Sequence, residues 1–419
     1  MKAFRNTVSI TLALVLCVCS AFPALAGARR PGYYACDPVQ WEEYCDGDFS
    51  KVLISPGSSA GELCFCWHSR NKAAVSPIVR IADNARMKNA QGFGGTATES
   101  DVDGWVTNKV SVRGLKENTT YYYDYKTDGG YGDVYEYTTG DFSVVTALFV
   151  SDAQPNEDSD APEEARLFSN TLAAALKAQP QTDFIISGGD QTQHGDSSYE
   201  WSCMLASPVL RNYAMATVVG NHDNKGDAYR YYVNNPNEWS GLSSSRTGNN
   251  DYWFRYGDVL FLMLNSTNGV FTEHYNFMKI AVARNPDAKW RVCVFHHDIY
   301  GTGHHALDDD NFLLQTILSP LMDEFDVDVV LNGHEHIYGR SYFMKDNLAV
   351  KVPDYASGSV TDPDGTLYLT AASCAGKNRI DPDEQALELS WCAMRLFTED
   401  PLYTMLTVDG GKLSLDTYS

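Results

Sequence analysis

A chain of 419 residues is long enough for two domains with proper cores. Its formal charge of −22 excludes a nucleic-acid scaffold, which needs a basic surface, and is otherwise the mark of a solvated acidic exterior. Residues 1–26 read as an export leader: Lys2 and Arg5 give a basic start, Thr11 to Phe22 is mostly apolar, and Ala24-Leu25-Ala26 offers small residues for cleavage. That apolar run is short for a retained span, and no later segment reads as an integral membrane segment. The expectation is a secreted or otherwise extracytoplasmic protein. Cys17 and Cys19 leave with the leader, and the remaining even set suggests disulfides, with Cys36–Cys45 and Cys374–Cys392 the favoured local pairs.

Residues 31–143 read as an all-β domain. Short alternating runs recur at Lys51 to Ser55, Glu62 to Trp67, Ile78 to Ile81, Lys109 to Arg113, Thr120 to Lys126 and Val134 to Thr139. Turn formers such as Pro56-Gly57-Ser58-Ser59 and Asp128-Gly129-Gly130 separate them. Trp67 and Tyr121-Tyr122-Tyr123 suit a small sandwich core. Gly114-Leu115-Lys116-Glu117-Asn118-Thr119-Thr120-Tyr121-Tyr122 resembles the G-L-x-P-x-T-x-Y signature of fibronectin type III-like domains, without its proline.

From 144 to 419 buried strands alternate with helices. The strands are Thr146 to Ser151, Phe184 to Ser187, Ala216 to Val219, Arg291 to Phe295 and Val327 to Leu331. Helices are expected over Glu163 to Lys177, Tyr199 to Asn212, His274 to Arg284 and Asn311 to Phe325. This is an α/β layer pattern, in which ligands gather at the carboxyl ends of strands.

Five of these strands end in residues able to bind metal. They are followed or closed by Ser151-Asp152-Ala153-Gln154, Gly188-Gly189-Asp190, Gly220-Asn221-His222-Asp223, Phe295-His296-His297 and Gly333-His334-Glu335-His336. One G-x-H-x-H alone carries little. Five clusters of carboxylate, amide and imidazole in series make a site for two cations.

The series D-x-[HQ], G-D, G-N-H-[DE], H and G-H-x-H resembles that of the calcineurin-like metallophosphoesterases. The ending His336-Ile337-Tyr338-Gly339-Arg340, with a β-domain ahead, is most similar to the purple acid phosphatase branch. The resemblance covers essentially the whole mature chain. It implies an α+β two-domain fold: an N-terminal β-sandwich, then a four-layer α/β/β/α metallophosphoesterase domain. It implies Asp152 and His336 on a first metal, Asp190 bridging two metals about 3.5–4 Å apart, and Asn221, His296 and His334 on the second. Iron, zinc or manganese, divalent or trivalent, suit such mixed ligands. His222 would protonate the leaving alkoxide and Asp223 would orient it.

Two departures affect the first metal. Gln154 stands where many relatives have a histidine, and Gln193 stands where purple acid phosphatases carry a ligating tyrosine; which glutamine substitutes is left open. Substrate contacts are expected from His297, His305 and Arg340, although His297 and Arg340 read equally well as structural. The implied function is hydrolysis of small phosphomonoesters. The alternatives are a phosphodiesterase or nucleotidase on the same metal core, or a non-catalytic surface-binding protein.

Overall fold

The computed structural model describes residues 7–12, 41, 45, 48–70, 76–248, 251–350, 358–378, 380–381 and 387–419. Cys36 and most of the expected leader lie outside these residues.

The N-terminal domain is one sheet, in the order Leu53–Pro56, Glu62–Arg70, Trp105–Arg113, Gln91–Glu99, Ile78–Ala82, Thr120–Thr127 and Gly130–Tyr131, with Tyr135–Thr138 beside Thr120–Thr127. The expected sandwich is therefore a single sheet curled on itself. Its hinge is the strand Gln91–Glu99, whose first half pairs with Ile78–Ala82 and whose second half pairs with Trp105–Arg113. A side chain at Gly95 would collide with the Lys109 carbonyl, so the bend requires glycine there. Sequence periodicity missed this strand because nearly all of it is exposed and neither face is apolar. Phe65 against Tyr123 and Trp67 against Tyr125, with ring centroids 5.2 and 5.3 Å apart, fill the curl.

Two further sheets lie face to face. The first runs Ala214–Thr217, Phe184–Ser187, Val144–Val150, Tyr403–Asp409, Lys412–Tyr418, Thr7–Leu12 and Ser359–Thr361. The second runs Tyr252–Tyr256, Val259–Met263, Trp290–Val294, Val329–Asn332, Thr366–Thr370, Tyr338–Lys345 and Leu348–Ala349, with Cys392–Leu396 beside Tyr338–Lys345. Strand alternation explains the layers. Ala147, Phe149, Phe184 and Ile186 meet Phe254, Phe261, Val292 and Val294 between the sheets. Leu148, Val150 and Ile185 point the other way, onto Phe168, Leu172 and Leu176 of the helix Ala161–Ala178. Leu260, Leu262 and Cys293 do the same on the far side, under Phe277, Met278 and Leu318 of the helices Phe271–Arg284 and Asp309–Glu324. The result is helix, sheet, sheet, helix.

Local chemistry sets the helix limits. Asp160 caps Ala161–Ala178 by accepting from the Glu163 N–H, with Glu163 and Glu164 in the first turn and Lys177 in the last. The helix expected over Tyr199 to Asn212 breaks in two: Ser198–Met204, then a 3-10 turn Pro208–Arg211. Pro208 has no N–H to continue the ladder and disfavours helical backbone at Ser207.

Thr7–Leu12, inside the expected leader, forms a strand parallel to Lys412–Tyr418. Cys64, Cys66, Cys203, Cys293, Cys374 and Cys392 carry free thiols. The expected Cys374–Cys392 bridge is not formed: Cys374 is buried in the cluster beneath the helix Ala161–Ala178, whereas Cys392 sits on a strand opposite Ser341. Cys45 packs with Cys203 and Trp41 in a small buried cluster, and its expected partner Cys36 lies outside the described residues.

Phe184 is buried between the sheets, with Phe254, Tyr256 and Phe261 within 5.6 Å ring to ring. Phe184→Ala should cost about 3–5 kcal/mol, read as a lower denaturant midpoint with an unchanged slope.

Candidate metal centre

The five clusters converge on one point. Val144–Val150, Phe184–Ser187 and Ala214–Thr217 are parallel neighbours in the first sheet, and deliver Asp152, Asp190 and Asn221. Trp290–Val294 and Val329–Asn332 are parallel neighbours in the second, and deliver His296, His334 and His336. The site is therefore built across the seam between two sheets.

The backbone turns sharply to achieve this. Asp152, Gln154, Asp190, His334 and His336 all have positive φ, from 35° to 78°. This left-handed conformation is uncommon outside glycine, though Asp and His tolerate it better than most. It lets the turn after Val144–Val150 bond to the turn after Phe184–Ser187. The Asp152 N–H donates to the Gly189 carbonyl at 3.2 Å, and the Gln154 N–H donates to the Asp190 carbonyl at the same distance. Gly220 packs so closely on Asp190 that a Cβ there would collide with its carboxylate.

Asn221 Oδ1 lies 2.9 Å from His296 Nε2 and 2.9 Å from His334 Nδ1. Asp190 Oδ2 lies 3.2 Å from His296 Nε2, and His336 Nε2 lies 3.5 Å from Asp152 Oδ1. One atom each of Asp152, Asp190 and His296 falls within 4.8 Å of the others. The outer ring nitrogens are fixed: His296 Nδ1 faces the Gly188 carbonyl at 3.0 Å, and His336 Nδ1 faces the Lys377 carbonyl at 2.9 Å. Protonated there, both rings turn a lone pair inward, as metal-binding histidines do. Gln154 adds a buried oxygen, Oε1, with no hydrogen-bond partner, while its Nε2 donates to Asp190 Oδ2 at 2.9 Å. Carboxylate, amide and imidazole donors, buried together with an orphaned oxygen beside them, fit a dinuclear metal centre.

The electrostatics agree. Burial pushes the Asp190 carboxyl up, but His296 and His222 outweigh it and hold the group below the usual carboxylate range. Burial pulls His296 down, yet Asp190 lifts it to about 9. Burial lowers His334 well below its ordinary value, with His296 and His297 adding to the effect. Burial also lowers His336, but Asp152 more than reverses this.

Around the donors, some expectations are corrected. Asp223 does not meet His222. Its carboxylate turns inward, accepting from the N–H groups of Gly220 at 2.9 Å, Gln191 at 3.0 Å and Thr192 at 3.3 Å. Burial, then Asp190, raises it to about 8. It braces the turn and does not orient the imidazole. His222 has its own N–H on Asp190 Oδ1 at 2.8 Å, with Nδ1 2.9 Å from the Gln193 carbonyl. His297 packs beside His334, receives the Ser266 hydroxyl at Nδ1 (2.8 Å), and is pushed down to about 3 by burial and His296. His305 stacks on His334 at 4.3 Å, its Nδ1 held 2.7 Å from Asp308, and is partly exposed. Arg340 lies on the strand Tyr338–Lys345, opposite Leu369 and Met394.

Two lysines escaped the sequence reading. Lys377 donates to the Gln154 carbonyl and lies 3.1 Å from Glu164, while its own carbonyl orients His336. Nothing in its local sequence marks it. Lys225 Nζ lies 2.8 Å from His222 Nδ1, and its spacing three residues after His222 on a tight turn was a usable signal. A second acidic group, Glu157, His194 and Glu200, also comes together, with His194 Nδ1 2.7 Å from Glu200.

Comparison with known proteins agrees with this geometry. Residues 145–338 match the model of the calcineurin-like phosphoesterases, and residues 50–139 match that of the purple acid phosphatase N-terminal domain. The chain thus carries a calcineurin-like phosphoesterase domain behind a purple acid phosphatase N-terminal domain. It is 28% identical over 183 residues to purple acid phosphatase 3 of Arabidopsis thaliana, covering 37% of this chain and 48% of that one. It is 21% identical over 350 residues to a purple acid phosphatase of Glycine max, covering 76% and 71%. The chain thus spans about half the length of the first relative and more of the second. Among solved structures it is similar in fold to the purple acid phosphatase PPD1 from yellow lupin (Lupinus luteus) seeds, with TM-score 0.64 and 15% identity over 86% of this chain and 70% of that one. PhoD is similar too, with TM-score 0.57 and 13% identity over 86% and 84%.

Metal loading should be proton-linked. A histidine raised above its ordinary value of about 6.5 stabilises the metal-free fold below that pH, and this contribution is lost as pH rises through about 9. The same proton must leave His296 before a cation binds. Zinc affinity measured by calorimetry should therefore climb about tenfold per pH unit and level off near pH 9; His296→Ala should remove that slope.

Proposed function

We propose that this protein is a dinuclear metal-dependent phosphatase acting on small phosphomonoesters outside the cytoplasm. The observation that carries this reading is the meeting of Asn221, His296, His334 and Asp190, with Asp152 and His336 beside them. In this assignment Asn221, His296 and His334 would hold one ion, Asp152 and His336 would hold the other, and Asp190 would serve both. Iron, zinc and manganese all suit the donors. Gln154, not Gln193, is the amide favoured at the first ion, because its side chain already reaches Asp190 and its oxygen is unpartnered. When bound, the ions supply the charge that holds and polarises a phosphoryl group and acidifies a water.

The chain supplies the rest. His222 sits at the rim, and with Nδ1 on the Gln193 carbonyl its Nε2 is the atom that protonates the leaving oxygen. Asp223 keeps its turn rigid. His305, buttressed by Asp308, presents its other nitrogen to a phosphate oxygen. Lys377 steadies the first-ion half by holding Gln154 and His336 together. The proposed processing removes residues 1–26, leaving a β-domain of 31–143 and a catalytic domain of 144–419. No helix among the described residues is long and apolar enough to cross a membrane. A cut after Ala26 would strip Thr7–Leu12 from beside Lys412–Tyr418; N-terminal sequencing of the exported protein decides whether that strand is kept.

His222→Ala should lower kcat by roughly 10²–10⁴-fold on an alkyl phosphate and much less on a nitrophenyl phosphate, whose leaving group needs no proton. Equal losses on the two would remove His222 from the role. Asn221→Ala should lose both metal and activity, and wild-type metal content with half the activity would end its assignment as a ligand.

The iron-loaded protein should lack the strong visible band of a tyrosinate on ferric iron. Gln193 occupies the place of the tyrosine, and Tyr199 packs with Cys203 and Trp41 in another cluster. A purple wild-type protein that bleaches on Tyr199→Phe would overturn this assignment.

A further inference from the structure

The ammonium of Lys225 rests on the His222 ring, 2.8 Å from Nδ1 and 3.4 Å from Nε2. Nδ1 is also 2.9 Å from the Gln193 carbonyl. It cannot donate to that carbonyl and accept from the ammonium at once. One of the two contacts must yield, and the mobile partner is the exposed lysine arm. Its base is rigid: Asp223 is held by three backbone N–H groups, and Asn224 Oδ1 accepts from the Ser245 hydroxyl at 2.8 Å and the Arg246 N–H at 2.6 Å.

Among the described residues no carboxylate lies within ion-pair distance of Lys225, in a chain of formal charge −22. Nearby Arg230 is different, since Asp227 takes its guanidinium at 2.7 Å. Among the described residues, then, a cation without a carboxylate partner stands beside the residue proposed to face the leaving group, on a fixed turn and seated on its ring. Exposed Arg246 follows on the adjoining loop.

The geometry points to Lys225 as the contact for a negative charge on the leaving group. The preferred substrates are therefore phosphate esters or anhydrides whose departing portion is itself anionic, such as one carrying a second phosphate. This rests on the phosphatase reading above and narrows its substrate class. On binding, the second anion draws the ammonium off the ring, and Nδ1 then serves the Gln193 carbonyl alone. Water oxygen bonds to phosphorus as the P–O bond to the leaving group breaks; the electron pair stays on the departing oxygen, which takes the proton of His222 Nε2, while the ammonium offsets the charge of the second anionic group.

The test compares inorganic pyrophosphate, with an anionic leaving group, and phenyl phosphate, with a neutral side chain, on the metal-loaded protein. Lys225→Ala should lower kcat/KM for pyrophosphate at least tenfold more than for phenyl phosphate, and Lys225→Arg should restore most of the difference. Calorimetry supplies a readout free of turnover: Lys225→Ala should weaken imidodiphosphate binding about tenfold and orthophosphate binding less than twofold. Equal losses on both substrates, or unchanged imidodiphosphate affinity, would overturn the inference while leaving the phosphatase reading intact. Hydrolysis of neither substrate by the metal-loaded wild type would overturn both.

Discussion

Everything at this site answers to the burial of two carboxylates. Asp152 and Asp190 are 0% and 1% exposed, and an isolated buried anion costs several kcal/mol unless positive charge or hydrogen bonds meet it. The protein meets part of that cost with its own groups: the His334 N–H on Asp152, the His222 N–H on Asp190, and the imidazoles of His296 and His336. The left-handed turns that aim these groups carry a cost of their own. A concentration of buried charge and backbone strain in one place is hard to explain as a device for stability. It is what a cation-binding centre requires.

The layers behind the centre make such strain tolerable. Phe149, Phe184, Phe254 and Phe261 lock the sheets face to face, so the strand ends cannot drift apart to relieve the donors. Helix packing on the outer faces does the same from behind. Asp223 and Lys377 then fix the two flanks, each through backbone atoms of neighbouring turns.

Much of this was legible in the sequence, for a physical reason. Apolar runs of four or five residues buried on both faces announce themselves, and Phe184–Ser187 falls where its composition places it. A metal ligand must also sit immediately after such a run, so strand and donor are read together. What escaped was whatever depends on contact between distant segments. The strand Gln91–Glu99 has no buried face to mark it, and Pro208 splits a helix that periodicity alone would continue. Asp223 stands beside His222 in the chain but points the other way. Lys377, 41 residues beyond His336, orients its ring through a carbonyl, a group every residue has.

The distribution of donors along the chain has a consequence for biogenesis. Asp152, Asp190 and Asn221 come from the first sheet and the earlier part of the polypeptide; His296, His334 and His336 come from the second sheet and arrive later. The group Asp152, Asp190 and His296, whose ligand atoms lie within 4.8 Å of one another, draws on both sheets. A partly synthesised chain therefore holds only part of the donor set that the folded protein brings together. Closure of the two sheets on each other is thus the step that completes the proposed centre.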